Sequence, residues 1–210
     1  MIARKDGLWW PEEDHAARPV ILEAVTADVP KFLAFVEGRS TIVQAGGNVG
    51  VYAIALARQF ASVVTVEPDQ DNYAALCRNV EASGLDGRIL HLNAAFGEEP
   101  GFCAVDRMDP ANCGAHRLMD GDQVQVITVD SLGLNACDAI WLDVEGFELP
   151  ALKGAEATID RFGPTIGIEE KGLSEHFGVR RGQAAEWLKT LGYGQVGKIG
   201  RDEIYRRGEP

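Results

Sequence analysis

The sequence predicts an α/β fold: a mostly parallel, seven-stranded sheet with helices on both faces. Three observations predict it. From Thr41 onward, short apolar runs alternate with amphipathic stretches, the pattern of strands covered on both sides by helices. A glycine cluster, Gly46-Gly47-Asn48-Val49-Gly50, joins the first run to the first helix. A glutamate, Glu67, closes the second run.

Taken in order, Thr41-Ile42-Val43 reads as the first strand and Val49 to Phe60 as the first helix. Val63 to Val66 is the second strand, and Asp69 or Asp71 caps a helix whose apolar positions Tyr73, Leu76, Cys77 and Val80 recur at helical spacing. Gly84 and Gly87 end it, and Ile89 to Leu92 comes next as the third strand. Residues 97 to 130 break the alternation. Two strand-like pieces, Gly101 to Val105 and Val124 to Val129, flank a polar stretch with Pro110, Asn112 and Gly114, which reads as a β-excursion near the site. Ala139 to Leu142 resumes the sheet, succeeded by one helix from about Glu148 to Phe162 and a strand at Thr165 to Ile168. A helix from Gln183 to Leu191 and strands near Gln195-Val196 and Glu203 to Tyr205 finish the chain. Residues 1 to 40 read as an N-terminal lid segment with a short helix from Ala27 to Glu37, and residues 41 to 210 as one ligand-binding domain.

Composition narrows the function classes. The chain has 210 residues and a formal charge of −12, so no broad surface for nucleic-acid phosphates is expected. No apolar run approaches the roughly 20 residues of a membrane span, and no secretory leader precedes Trp9, which points to a cytoplasmic protein. The cysteines at 77, 103, 113 and 137 lack C-x-x-C spacing and read as reduced thiols. Trp9, Trp10 and Pro11 suit a substrate lid, a homo-oligomer interface or a cover for the core edge.

Where a strand turns into a helix beside a ligand, backbone and ligand nearly touch, and residues without a Cβ are needed. Gly46, Gly47 and Gly50 stand at such a turn, ahead of a helix whose positive end faces the ligand. Glu67 lies about twenty positions further on, where a carboxylate accepts both hydroxyls of a ribose. These features define a Rossmann-like site for an adenosine-containing ligand. They fit NAD and S-adenosylmethionine (SAM) equally.

Further blocks carry a resemblance. The loop Gln44-Ala45-Gly46-Gly47-Asn48-Val49-Gly50, the pair Glu67-Pro68, Asn72 and Asn79, Asn93-Ala94-Ala95, Asp143-Val144-Glu145-Gly146-Phe147-Glu148, Lys153-Gly154-Ala155, Pro164 to Glu169 and Leu191-Gly192-Tyr193 occur in the order and spacing of the FkbM-type SAM-dependent methyltransferases. The sequence resembles that family from about Thr41 to Tyr193. The resemblance implies a class I methyltransferase fold, SAM as cofactor and transfer to a hydroxyl of a small molecule or glycan. It assigns Gln44, Gly46, Gly47, Asn48, Gly50, Glu67, Pro68, Asn72, Asn93, Ala94, Ala95 and Asp143 to the cofactor. Asp143 and Glu145 become the candidates for chemistry, Glu145 orienting the acceptor or taking its proton.

Two departures stand out. Gln44 replaces the family's usual aspartate, so an amide oxygen is expected to meet the methionine ammonium, and Trp141 stands where the family often has lysine. Glu148 suits a helix cap, and Glu169 or Glu170 extends the acidic rim of Asp143 and Glu145. Such a rim suits a divalent cation, but nothing in the spacing demands one, and no metal is expected. His116 reads as a solvated loop histidine, and Asn112-Cys113-Gly114 as a turn or a site loop. Two alternatives stay open. An NAD-dependent oxidoreductase would use the same loop, although no Tyr-x-x-x-Lys is present, and Gln44 admits a SAM-binding module without turnover.

Overall fold

A computed structural model describes residues 1–169 and 171–208. In chain order the elements are β1 (Ile2–Lys5), β2 (Leu8–Pro11), α1 (Ala17–Leu33), β3 (Thr41–Ala45), α2 (Val51–Ala57), β4 (Ser62–Val66), α3 (Gln70–Ser83), β5 (Ile89–Leu92), β6 (Ala94–Phe96), β7 (Gly101–Asp106), β8 (Arg117–Ile127), β9 (Ala139–Leu142), α4 (Glu148–Lys153), α5 (Glu156–Phe162), β10 (Thr165–Glu169), α6 (Gln183–Thr190), β11 (Tyr193–Ile199) and β12 (Asp202–Arg207).

The main sheet has seven strands in the order β11-β12-β10-β9-β3-β4-β5. β12 runs antiparallel to both neighbours, and every other pairing is parallel. The expected mostly parallel α/β sheet is therefore present. Its central strands are apolar on both faces because helices cover both. Val25, Val29 and Phe32 of α1 pack with Ala53 and Leu56 of α2 and Leu76 of α3 on one side. Leu149, Leu152, Ile159 and Leu188 of α4, α5 and α6 pack on the other. Strand order reverses at β3, whose successor β4 lies on one side and β9 on the other. That reversal opens a crevice beyond the carboxyl ends of the strands.

The β-excursion is a separate three-stranded sheet, β6-β8-β7. The single helix expected over residues 148–162 is instead two. Asp130 causes the break: its N–H donates to the Gly154 carbonyl, and its carboxylate accepts from the N–H groups of Ala157 and Thr158, which starts α5 afresh.

The N-terminal reading needs most correction. Asp6 and Gly7 both have positive φ, 53° and 82°, the geometry of a two-residue type I′ turn, so β1 and β2 form a hairpin. The helix expected over 27–37 runs from Ala17 to Leu33, because Asp14 accepts from the Ala17 and Arg18 N–H groups and fixes its start earlier. Trp10 is fully buried against Val49 and Ala75, and Trp9 lies under the Arg78 guanidinium, so these rings cover the core edge. Among the described residues no helix is long and apolar enough to cross a membrane.

Asp14 also accepts from the Cys113 N–H, tying α1 to the excursion. It is wholly buried. Replacing it with alanine strands three N–H groups, so Asp14→Ala is expected to lose about 3 kcal/mol in urea unfolding, with a smaller loss in Asp14→Asn. Equal stability of Asp14→Ala and the parent chain would show that the latch contributes nothing.

Candidate functional site

A cavity of about 640 Å³ fills the crevice at the carboxyl ends of β3, β4, β9 and β10, a volume typical of cofactor sites. Its floor is the turn after β3. Gly46 has φ 79°, and a Cβ there would fall inside the Asp143 carbonyl. At Gly47 a Cβ would lie 2.8 Å from Thr65 Oγ1 and 3.0 Å from the Val66 carbonyl oxygen. The turn can therefore lie this low only with glycine at both positions. Gly50, also at positive φ, precedes α2 and packs on Leu76 behind the turn.

Gln44 lines the cavity and also braces the turn. Its amide oxygen accepts from Thr65 Oγ1 at 2.5 Å, and its amide nitrogen donates to the carbonyls of Ala45 and Gly46 at 3.0 and 2.9 Å. The side chain holds the turn from inside, and its oxygen, with one of two lone pairs engaged, keeps a second acceptor position.

One end of the cavity is built around Glu67, where β4 stops. Its two oxygens accept from the N–H groups of Asn48 (2.7 Å) and Asp69 (2.8 Å). Burial pushes its carboxyl up to about 7, against the pull of those two N–H donors, with the Asp69 charge adding to the rise and His116 opposing it. Asn48 and Asn72 both donate side-chain N–H groups to the Cys113 carbonyl, at 2.8 and 2.9 Å, so the excursion is stitched over the glycine turn. Pro68, Ala95 and Leu118 supply apolar walls. Asn93 and Ala94 do not line the cavity: the Asn93 amide donates to the carbonyls of Glu67 and Pro68, and Ala94 lies in the core.

The other end is acidic. Asp143, Glu145 and Glu169 bring carboxylate oxygens within 4.8 Å of one another, and Lys171 sits among them. Its ammonium lies 2.6 Å from Glu169, 2.7 Å from Glu145 and 3.7 Å from Asp143. Lys171 is thus the cation that balances this rim, although no sequence motif singles it out. Asp143 is the exposed member of the three, at 54 % for its side chain against 12 % for Glu145 and 10 % for Glu169. Burial, then the adjoining Asp143, push the Glu169 carboxyl up to about 10, with the Lys171 ammonium opposing the rise. Burial, then Asp143, raises Glu145, whose backbone holds a positive φ of 52°. Glu170 lies outside the described residues.

Glu148 caps locally. Its carboxylate accepts from the Val144 and Gly146 N–H groups and shapes the turn that carries Asp143 and Glu145. Trp141 stacks on Phe32 at 4.2 Å and donates to Asp202 at 2.7 Å, so it forms a wall rather than a charge. Tyr52, Asp28, Arg201 and Asp202 complete this end. None was singled out from the sequence. They come from α1, α2 and the β11–β12 turn, and no local motif marks them.

His116 is corrected outright. It lines the cavity with its side chain 9 % exposed, and its Nδ1 faces Asp69 at 3.4 Å. Burial works to raise Asp69, but His116, the Asn72 N–H and Arg107 outweigh it and hold that carboxyl down at about 2.

A glycine turn at a topological switch, with a carboxylate at the end of the next strand, sits where open α/β sheets place their ligands. The model of the methyltransferase FkbM domain matches residues 44–194, and the chain belongs to that family. Among solved structures, the methyltransferase FkbM of Methylobacillus flagellatus superposes with a TM-score of 0.59 at 21 % identity, covering 82 % of this chain and 45 % of its own. This chain therefore spans under half the length of that relative. The O-methyltransferase of Bacillus cereus, in complex with SAH, gives 0.53 at 15 % identity, covering 94 % and 84 %. A precorrin-6y C5,15-methyltransferase from Geobacter metallireducens gives 0.52 at 10 % identity, covering 96 % and 93 %. At such identities the likeness is one of fold. No curated sequence matches this chain.

Removing the Lys171 ammonium leaves the rim uncompensated. Lys171→Met is expected to lose about 3 kcal/mol of stability at pH 8. Without the ammonium the folded protein binds protons more tightly than the unfolded chain, so the variant regains stability as pH falls and the carboxylates neutralise. Urea unfolding at pH 8 and pH 5.5 measures this. A deficit that stays constant or grows toward acid would contradict the pairing.

Proposed function

We propose that this chain is a SAM-dependent methyltransferase that methylates a hydroxyl of an uncharged or cationic small molecule or glycan. The observation that carries the reading is Glu67: a buried carboxylate, pre-aligned by two backbone N–H groups, on the wall of a cavity that runs on to the Asp143 rim. Its remaining lone pairs suit the two hydroxyls of a ribose. The cavity volume also fits a cofactor of this size.

When bound, SAM supplies an electrophilic methyl whose transfer to the acceptor oxygen breaks the methyl–sulfur bond and leaves that electron pair on sulfur. Glu67 holds the ribose, and the glycine turn lets the backbone approach the cofactor. Asp143 is the exposed carboxylate at the far end and takes the proton released by the acceptor hydroxyl. Glu145 is held by Lys171 and positions that rim. Alignment supplies most of the rate, with the base adding to it. Asp28, Asp143, Glu145 and Asp202 outnumber Lys171 and Arg201 here, which disfavours phosphorylated or carboxylated acceptors.

Conversion of SAM to S-adenosylhomocysteine, monitored with panels of neutral, aminated and phosphorylated hydroxyl compounds, tests the activity. Turnover with the first two groups and not the third is expected, and Asp143→Asn is expected to lower kcat by about 100-fold or more. Unchanged kcat would remove Asp143 from proton transfer. A protein that binds SAM but turns over no acceptor would be a binding module.

Glu67 accepts the ribose hydroxyls best when ionised. SAM affinity is therefore expected to rise with pH through about 7 and then level. Glu67→Gln should weaken binding by ~1–3 kcal/mol and flatten that dependence. Calorimetric titration from pH 5.5 to 8.5 measures both, and an affinity in Glu67→Gln equal to the parent's would overturn the ribose assignment.

A further inference from the structure

Beyond Asp143 the cavity runs on between α1 and the β11–β12 turn. Val20, Ile21, Ala24 and Asp28 of α1 line it at helical spacing, so one face of the helix, apolar and then acidic, borders the ligand space. Val20 is 64 % exposed there, an apolar side chain that the chain itself leaves uncovered. Tyr52 and Trp141 line the same space and pack edge to face, with ring centroids 5.4 Å apart. Trp141 Nε1 donates to Asp202 Oδ2. Among the described residues no hydrogen bond engages the Tyr52 hydroxyl or Asp202 Oδ1. Hydrocarbon, two rings and open oxygen acceptors thus share one wall.

The charges on that wall are mostly of one sign. Burial raises the Tyr52 phenol, and Asp28, Asp202, Asp143 and Glu169 raise it further, so it stays protonated. Burial, then Asp143, push the Asp202 carboxyl up to about 7, with Asp28 adding to the rise and the Trp141 N–H and Lys171 opposing it. The chain's own cations are engaged elsewhere. Lys171 sits against Glu169 and Glu145, Arg201 bears on Glu145, and Lys31 meets Asp28 in an exposed pair that solvent screens. An ammonium supplies what is missing: a positive charge and three N–H donors, which the Tyr52 oxygen and Asp202 Oδ1 can accept, beside rings that tolerate a cation. A neutral hydroxyl would bring donors without the charge.

We propose that the acceptor is an alcohol carrying a protonated amine, with its hydroxyl at Asp143, its ammonium beside Tyr52 and Asp202, and its hydrocarbon on Val20, Ile21 and Ala24. The proposal rests on the methyltransferase reading. The ammonium has no lone pair and is not the nucleophile. The hydroxyl oxygen bonds to the methyl carbon as the methyl–sulfur bond breaks, its proton passes to Asp143, and the sulfur keeps the electron pair.

The test is the rate of S-adenosylhomocysteine formation by the full chain with matched pairs that differ only in an amine or a hydroxyl at one carbon. One arm holds amino sugars against the parent sugars, such as glucosamine and glucose, and the other aliphatic amino alcohols against their polyols, such as serinol and glycerol. The amine is expected to exceed its partner in kcat/KM by about tenfold or more in one arm, which names the source of the acceptor. The methyl is expected on oxygen by NMR of the product. Asp202→Asn, which keeps an acceptor for Trp141, should cut the preference by about tenfold, with the loss in KM. If that variant does not fold, Asp28→Asn is read in the same way. Equal kcat/KM within the pairs, a methyl on nitrogen, or a preference undiminished in both variants would overturn the proposal while leaving the methyltransferase reading in place. Turnover of no pair would bring down both.

Discussion

The site depends on one close approach: the backbone of Gly46 passing against the carbonyl of Asp143, where β3 and β9 lie side by side at the reversal of strand order. Any side chain at Gly46 would force the turn away from β9. The turn would then rise into the cavity, and the Asn48 N–H would leave Glu67. Gln44 secures the same turn from beneath. Its amide bridges Thr65 of β4 to the carbonyls of Ala45 and Gly46.

The two ends of the cavity differ in electrostatic design. At one, Glu67 is surrounded by N–H donors and apolar walls, and no ammonium or guanidinium pairs with it among the described residues. At the other, several carboxylates share a single close ammonium, Lys171. Trp141 gives this end a ring stacked on Phe32 in the wall, so the cation comes from the segment after β10 rather than from β9. The excursion and α1 close the space between these ends. Asp14 and the Cys113 carbonyl hold both elements to the glycine turn.

The sheet was legible because each central strand is buried on both faces and reads as a plain apolar run, while the capping of α3 by Asp69 is a local rule. The excursion was legible as a break in that rhythm. Other features depend on distant partners. The break between α4 and α5 comes from Asp130, some twenty residues earlier, and the early start of α1 from Asp14 acting with the excursion. The Asp6-Gly7 turn was a readable hairpin signal between apolar residues, hidden by the aromatic and acidic character of the neighbouring stretch from Trp9 to Asp14. Of the site, the glycine turn and Glu67 could be found by spacing. Lys171, Tyr52 and Asp202 could not, since only the folded sheet brings them beside Asp143. His116 looked solvated because sequence alone does not say which excursion residues face inward.

At the centre of the proposed function, one cavity holds an adenosine at Glu67 and directs the sulfur end of the cofactor toward Asp143. A crystal structure of the chain with S-adenosylhomocysteine tests this most directly. Both ribose hydroxyls are expected within hydrogen-bond distance of the Glu67 carboxylate, with the homocysteine running past Gly46 toward Asp143. A ligand seated elsewhere, or bound with its ribose away from Glu67, would contradict it.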